Sequence, residues 1–280
     1  MAVARLEILK KFRENIKAGI PVIGASAGIG LSARCEERGG VDFIIVSSHG
    51  ENRMQGRPTS ASMLPIYDVN ETLLRLANRI LPVVDHTPVI AGFFAQDLYR
   101  DVPTLLKQLK EMGFSGVQCS PSLGGFDASW GASYEDAGVG FCVKANMIKI
   151  AHEMDFLTTP FVHTPQQAVM MAEVGADILI CNAGVSVGGF SGSTTPTNRT
   201  LDECVRFCQE IHDAAVAINP DIMVLCHGGR MVMPEDIDYV FQNTKGIVGY
   251  YGTSGIERIP TEIAISEGIR KYKNVKTTLA

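Results

Sequence analysis

A repeat runs the length of this 280-residue chain and limits its fold to very few shapes. Short apolar runs recur, and each is followed by a stretch of helical periodicity. The runs are Pro21–Gly24, Phe43–Ser47, Val89–Phe93, Gly116–Cys119, Phe156–Thr159, Ile178–Cys181, Met223–Cys226 and Ile247–Tyr251. They are rich in Val and Ile and lack polar alternation, as parallel strands buried on both faces do. Helix starts between them are marked. Asp68 with Glu71 and Thr200 with Glu203 read as capping boxes, and Pro165 and Pro234 each take a first helical position. Alternating strand and helix means βαβ units. Eight of them in this length predict an α/β fold, a (β/α)₈ TIM barrel, as a single domain over residues 1–280. The competing architecture is an open doubly wound sheet. Its dinucleotide-binding form needs a full G-x-G-x-x-G turn, and Ala25–Gly30 (ASAGIG) carries only part of one. Ahead of the first strand, Ile8, Leu9, Phe12 and Ile16 form an apolar stripe that Gly19 can end. This N-terminal helix is expected to cap the bottom of the barrel.

Composition excludes several function classes. The net charge of −5, with no basic stripe, argues against a nucleic-acid partner. No apolar run reaches membrane-spanning length, and Met1–Gly19 alternates charged and apolar residues, unlike a signal peptide. The seven cysteines are odd in number, scattered and free of any C-x-x-C, so they read as core thiols of a cytoplasmic protein.

Spare length locates the working loops. Long connections follow the second, fourth and sixth strands, at His49–Tyr67, Ser120–Asp136 and Asn182–Arg199. Placed at the carboxyl ends, these alternate loops cover one mouth of the barrel, where barrel active sites lie. The third is rich in Gly, Ser and Thr, and reads equally as a flexible connection or as a lid or anion cradle.

Two glycine turns suggest an anion site at that mouth. The seventh strand runs into Cys226-His227-Gly228-Gly229-Arg230 and the eighth into Gly252-Thr253-Ser254-Gly255. Barrels often bind phosphate on those loops, where glycine lets backbone N–H groups approach closely. The candidate phosphate or substrate residues are Ser26, Gly228, Gly229, Gly252, Thr253, Ser254 and Gly255, with Arg230 or Arg258 adding charge. The plainer reading is that the glycines only make tight turns.

Polar groups also gather where the apolar runs end, at Ser47–Arg53, Gln96-Asp97, Gln118, Ser120, Thr159, His163 and Asn182. Glu51 and Asp97 are candidate ligands for Mg²⁺, a hard cation that prefers oxygen. His49, His163 and His227 are candidate general acids or bases, since imidazole titrates near neutrality. The expected catalytic set is His49, Glu51 and His227. Against this, Glu51 is equally suited to an ion pair with Arg53 or Arg57, and a histidine at a strand end is commonly only a satisfied polar group. No run contains lysine. Lys144 and Lys149 fall in a helical pattern and are expected to be solvated, which argues against Schiff-base chemistry. No G-x-S-x-G elbow supports a serine triad.

Three segments carry a family resemblance: GASAGIGLSARCEERGGVDFIIVSSHGENRMQGRPT, CSPSLGGF, and CHGGRMVMPEDIDYVF with GYYGTSGIER. Together they resemble the phosphoenolpyruvate hydrolase-like TIM-barrel family over essentially the whole chain. That family includes the barrel half of a plant protein that restrains tobamovirus RNA replication. The resemblance implies action on phosphoenolpyruvate or a related phosphorylated or phosphono acid. It also implies kinship with Mg²⁺-dependent phosphoenolpyruvate and pyruvate barrels. The lysine–cysteine–glycine–histidine motif of isocitrate lyases is absent.

Two function classes follow. The first is an enzyme for a small phosphorylated or phosphono 2-oxo acid, working by hydrolysis or lysis through a metal-stabilised enolate. The second is a catalytically silent barrel that senses an anion or binds a protein partner. In that case Met54, Met63, Phe126, Trp130, Tyr134 and Phe190 would form an open patch rather than line a closed pocket. A homo-oligomer is expected in either case, as in other barrels of this type.

Overall fold

The computed structural model describes residues 2–64, 66–125, 128–194 and 199–278. Nine parallel strands form one sheet: β1 (Val22–Ala27), β2 (Phe43–Val46), β3 (Val89–Phe93), β4 (Gly116–Cys119), β5 (Leu157–Thr158), β6 (Phe161–Val162), β7 (Ile178–Asn182), β8 (Met223–His227) and β9 (Ile247–Gly252). Their order is β5-β4-β3-β2-β1-β9-β8-β7-β6. Only Thr159 and Pro160 separate β5 from β6 in the chain. β5 pairs with β4, and β6 with β7, so one segment changes partner midway and brings the two edges together. The Thr159 N–H donates to the Val117 carbonyl and Pro160 accepts from the Ile180 N–H, which carries the ladder across the break. Proline has no N–H to continue pairing with β4, which accounts for the interruption. The expected strand Phe156–Thr159 is therefore shortened to Leu157–Thr158, and a second short strand, Phe161–Val162, follows it. The other seven runs became strands within three residues of their expected ends.

Alternate strand residues serve two cores, because successive side chains point to opposite faces of a sheet. Phe43, Ile45, Ile90, Leu157, Ile180 and Leu225 fill the barrel interior together with Ile8, Leu9 and Phe12 of the Arg5–Lys17 helix. Ile44, Val46, Val89, Ala91, Val117 and Leu179 instead pack outward under the surrounding helices. Each such fully buried side chain contributes about 1.5–3 kcal/mol relative to exposure. The N-terminal helix closes the bottom as its stripe predicts. Arg5 fastens it there, forming an ion pair at 2.6 Å with Asp177, which also accepts from the Thr158 backbone and hydroxyl.

The helices start at the marked positions, but of the two expected capping boxes only that of Thr200 and Glu203 is reciprocal. Thr200 and Glu203 form a reciprocal capping box, and Asp68 accepts from the Glu71 N–H. The insertion after β2 contains a helix, Ser48–Met54, and a 3₁₀ turn, Thr59–Met63; that after β4 contains a helix, Ala128–Asp136. Among the described residues no helix is long and apolar enough to cross a membrane.

Candidate active site

The carboxyl ends of the strands surround a cavity of about 430 Å³. Ser26 comes from β1, Ser47 from the end of β2, Ser120 from beyond β4, Asn182 from β7, His227 from β8 and Tyr251 from β9. His49, Arg53, Thr59, Ser60 and Met63 enter from the first insertion, Ser122, Gly124 and Gly125 from the second, and Ala183–Ser186 and Arg199 from the third. All three long connections thus reach the mouth. The third strand delivers nothing to it. Gln96 turns away to donate to the Gly140 carbonyl, and Asp97 lies in a separate surface depression.

The floor holds a buried ion pair. Ser47 is extended, and the Ser48–Met54 helix starts directly after it, turning Arg53 back beneath the mouth. The Arg53 and Glu257 side chains are almost wholly enclosed, at 0% and 1% exposure. Arg53 Nε and Nη2 donate to one Glu257 oxygen at 2.9 and 2.5 Å. The other oxygen accepts from the Gly28 N–H at 2.7 Å. Arg53 Nη2 also donates to the Ser26 carbonyl and hydroxyl oxygens, at 2.8 and 3.1 Å. The buried Arg53 Nη1 has no partner among the described residues, although Arg53 lines the cavity. A buried guanidinium N–H without an acceptor costs free energy, and an anion in the cavity would satisfy it. Close by, the buried Glu36 carboxyl is pushed up to about 8, first by burial and then by the Glu257 charge, so it stays neutral at neutral pH.

Three histidines line the cavity, and each is held uncharged. Burial, followed by the Arg53 charge, lowers His49 to about 3. Burial and then Lys144 lower His163 to about 3. Burial lowers His227 to about 4, against the opposing pull of the Tyr251 carbonyl. His227 Nδ1 lies 2.8 Å from that carbonyl oxygen, which can only accept. Nδ1 therefore carries the proton and Nε2 keeps its lone pair. His49 Nδ1 lies 3.2 Å from Ser120 Oγ.

The structure sorts the expected site residues. His49, His227, Ser26, Thr253 and Ser254 line the cavity. Gly228, Gly229, Gly252 and Gly255 do not. Gly228 has a left-handed φ of +79°, and a Cβ there would overlap the Gly184 carbonyl. The Gly229 N–H is already taken by that carbonyl, at 3.0 Å. A Cβ on Gly255 would overlap the Val232 carbonyl, and one on Gly252 the Ile256 side chain. At Gly228, Gly252 and Gly255 a side chain would collide with a neighbouring segment, which gives these glycines a steric role. Arg258 pairs with Glu262 and Arg230 lies in another surface depression, so the arginines at the mouth are Arg53 and Arg199.

The two expected metal ligands are not brought together. Glu51 forms a two-pronged pair with Arg75, both bonds at 2.7 Å, and not with Arg53 or Arg57. Asp97 pairs with Arg100 at 2.8 Å and accepts from Asn70 at 2.9 Å. Neither lines the cavity. The described lining offers hydroxyls, imidazoles, one carboxamide and two guanidinium groups, and no carboxylate. Among the described residues no group of three His, Cys, Asp or Glu is placed to hold a metal. This donor set does not fit Mg²⁺, which seeks carboxylate oxygen and is repelled by the arginines.

Lys144 was expected in solvent and is fully buried. Helical periodicity placed it correctly in the Phe141–Glu153 helix but did not show that this face turns toward the mouth. The signal available was its position between Phe141 and Ile148 on the apolar side of that helix.

The comparisons with known proteins agree with this architecture. The model of the phosphoenolpyruvate hydrolase-like family matches residues 7–275. The chain belongs to that family. This family member is 44% identical over 271 residues to the ToMV susceptible protein tm-1(GCR26) of Solanum lycopersicum, covering 97% of the chain and 36% of the relative. It thus spans just over a third of that protein. Among solved structures, a 2,3-dimethylmalate lyase of the PEP mutase/isocitrate lyase superfamily has a TM-score of 0.62 at 14% identity, covering 99% of this chain and 92% of that one. A phosphonopyruvate hydrolase complexed with oxalate and Mg²⁺ has a TM-score of 0.58 at 16% identity, covering 99% and 90%. At such identities the likeness concerns the fold alone.

Proposed function

We propose that this protein is an enzyme acting on a small anionic acid of the phosphoenolpyruvate and pyruvate class, phosphorylated or phosphono, by hydrolysis or lysis next to the 2-oxo carbon. One observation carries the reading: a cavity at the barrel mouth lined by Arg53, whose buried Nη1 has no partner among the described residues. A substrate carboxylate would take that donor beside Ser26. A second acidic group would lie toward Arg199 and the Thr253 and Ser254 hydroxyls. His227 Nε2 and His49, both uncharged in the empty site, would accept or return the proton; a bound dianion raises their basicity. The tomato relative is named for virus susceptibility, and the phosphonopyruvate hydrolase for its own substrate. Both only guide the choice of compounds to test.

The test is pyruvate release from phosphonopyruvate and phosphoenolpyruvate, with and without Mg²⁺, alongside calorimetric binding of oxalate. Release and oxalate binding that both fall at least tenfold in Arg199→Met, with His227→Gln losing release alone, would support the reading. An unchanged rate in both variants would refute it.

One observation favours a partner-binding barrel as the second reading. Phe190 is 86% exposed and Trp130 59% exposed, although Met63 lines the cavity. Phe126 lies outside the described residues. Oxalate binding without turnover of either acid would favour this second reading. Homo-oligomer formation and a cytoplasmic setting belong equally to both proposals.

A further inference from the structure

Lys144 has no exposed surface, and among the described residues no carboxylate pairs with it. Its Nζ lies 2.7 Å from Ser122 Oγ, 3.5 Å from the Phe161 carbonyl oxygen and 4.4 Å from the centre of the Phe141 ring. Ser122 lines the cavity and Lys144 stands directly behind it. An ammonium carries three donors, and only two acceptors are in place here. In its ammonium form Nζ donates to Ser122 Oγ and the Phe161 carbonyl; as a neutral amine it keeps one N–H for that carbonyl, turns the other to the Phe141 ring and takes the Ser122 hydroxyl proton on its lone pair. Burying an unpaired charge is costly, so the surroundings bring the neutral state within reach.

We propose that Ser122 and Lys144 form a serine–lysine nucleophilic pair that takes an acyl group from a small anionic ester bound in the cavity. It rests on the anion-binding reading only for the charge of the substrate. Lys144 Nζ removes the hydroxyl proton as Ser122 Oγ bonds to the ester carbonyl carbon. The ester C–O bond then breaks, its electron pair leaving on the alcohol oxygen, which takes the proton from Nζ. Water hydrolyses the acyl-serine, releasing the acid and restoring Ser122. Lys144 lies near 8, lowered by burial, and so supplies free amine at mildly alkaline pH. The titratable groups facing it are Cys119, pushed up to about 11, and His163, held at about 3. Neither changes charge between pH 6 and 9.

The experiment is covalent labelling with a fluorophosphonate, which loses fluoride as it phosphonylates an activated serine, read by mass spectrometry of peptides. We expect an adduct on Ser122 in the wild type and none in Ser122→Ala. The labelling rate should rise from pH 6 and level off above about 8. Lys144→Met should slow labelling at least tenfold. Lys144→Arg should not restore it, because a guanidinium cannot serve as the base, whereas a purely structural cation would be replaced. Melting curves of each variant identify those that fold. No Ser122 adduct in the wild type, or labelling of folded Lys144→Met at the wild-type rate, overturns the pair. Oxalate binding is measured separately in the wild type. Its absence in the wild type would defeat the anion reading while leaving a Ser122 adduct standing.

Discussion

The Arg53–Glu257 pair offers the most demanding test of the floor, through Glu257→Gln. The substitution preserves shape but removes the charge that balances a fully enclosed guanidinium. It also places an amide, half of it a donor, against the Gly28 N–H, which needs an acceptor. Removing one member of a buried pair costs about 3–5 kcal/mol. At about 2–4 °C per kcal/mol for chains near this size, Tm should fall by roughly 6–20 °C. Glu36 limits the damage. Its carboxyl is kept neutral partly by Glu257, so without Glu257 it can ionise toward Arg53. Glu36→Gln combined with Glu257→Gln should therefore cost more than the two single changes added together. Urea unfolding at pH 7.5 gives the four free energies of that cycle. A loss below about 1 kcal/mol for Glu257→Gln, the range of solvated surface pairs, would refute the reasoning. A strictly additive cycle would refute the role given to Glu36.

Three further outcomes are expected. Because the Glu36 pKa is raised to about 8, its neutral form stabilises the fold fully below the ordinary value of 4.5, and that contribution fades as pH climbs toward 8; Glu36→Gln should flatten the decline of urea stability between pH 5 and 9, by up to about 4 kcal/mol. The lowered values of His49, His163 and His227 work in the opposite sense: the unfolded chain takes up protons that the fold refuses, so Tm should drop as pH falls from about 6.5 toward 4, and a triple change to Gln should reduce that slope. Glu51→Gln and Asp97→Asn, each weakening a pair with an arginine outside the cavity, should leave oxalate affinity within about twofold, as measured by calorimetry; a tenfold loss of affinity would restore them to the site.

The barrel was legible in the chain because each strand advertises its own surroundings. A run such as Phe43–Val46 is apolar throughout, since both of its faces are covered. The capping box of Thr200 and Glu203 was equally plain, because its partners stand three residues apart. The polar strand ends at His49, Ser120, Asn182 and His227 could be read for the same reason, as breaks in apolar runs. The pairing of charges could not. Arg53 and Glu257 meet across 204 residues, and nothing near Arg53 distinguishes it from Arg57. Glu51 met Arg75, and so the expected Glu51 and Asp97 metal site did not form. Local sequence thus determined the strands, the helix starts and the capped bottom, because those depend on neighbours along the chain. Closure of the barrel decided which charges are enclosed, which lysine is dry and which glycines only make room. Those outcomes depend on distances that exist only once the first and last strands lie side by side.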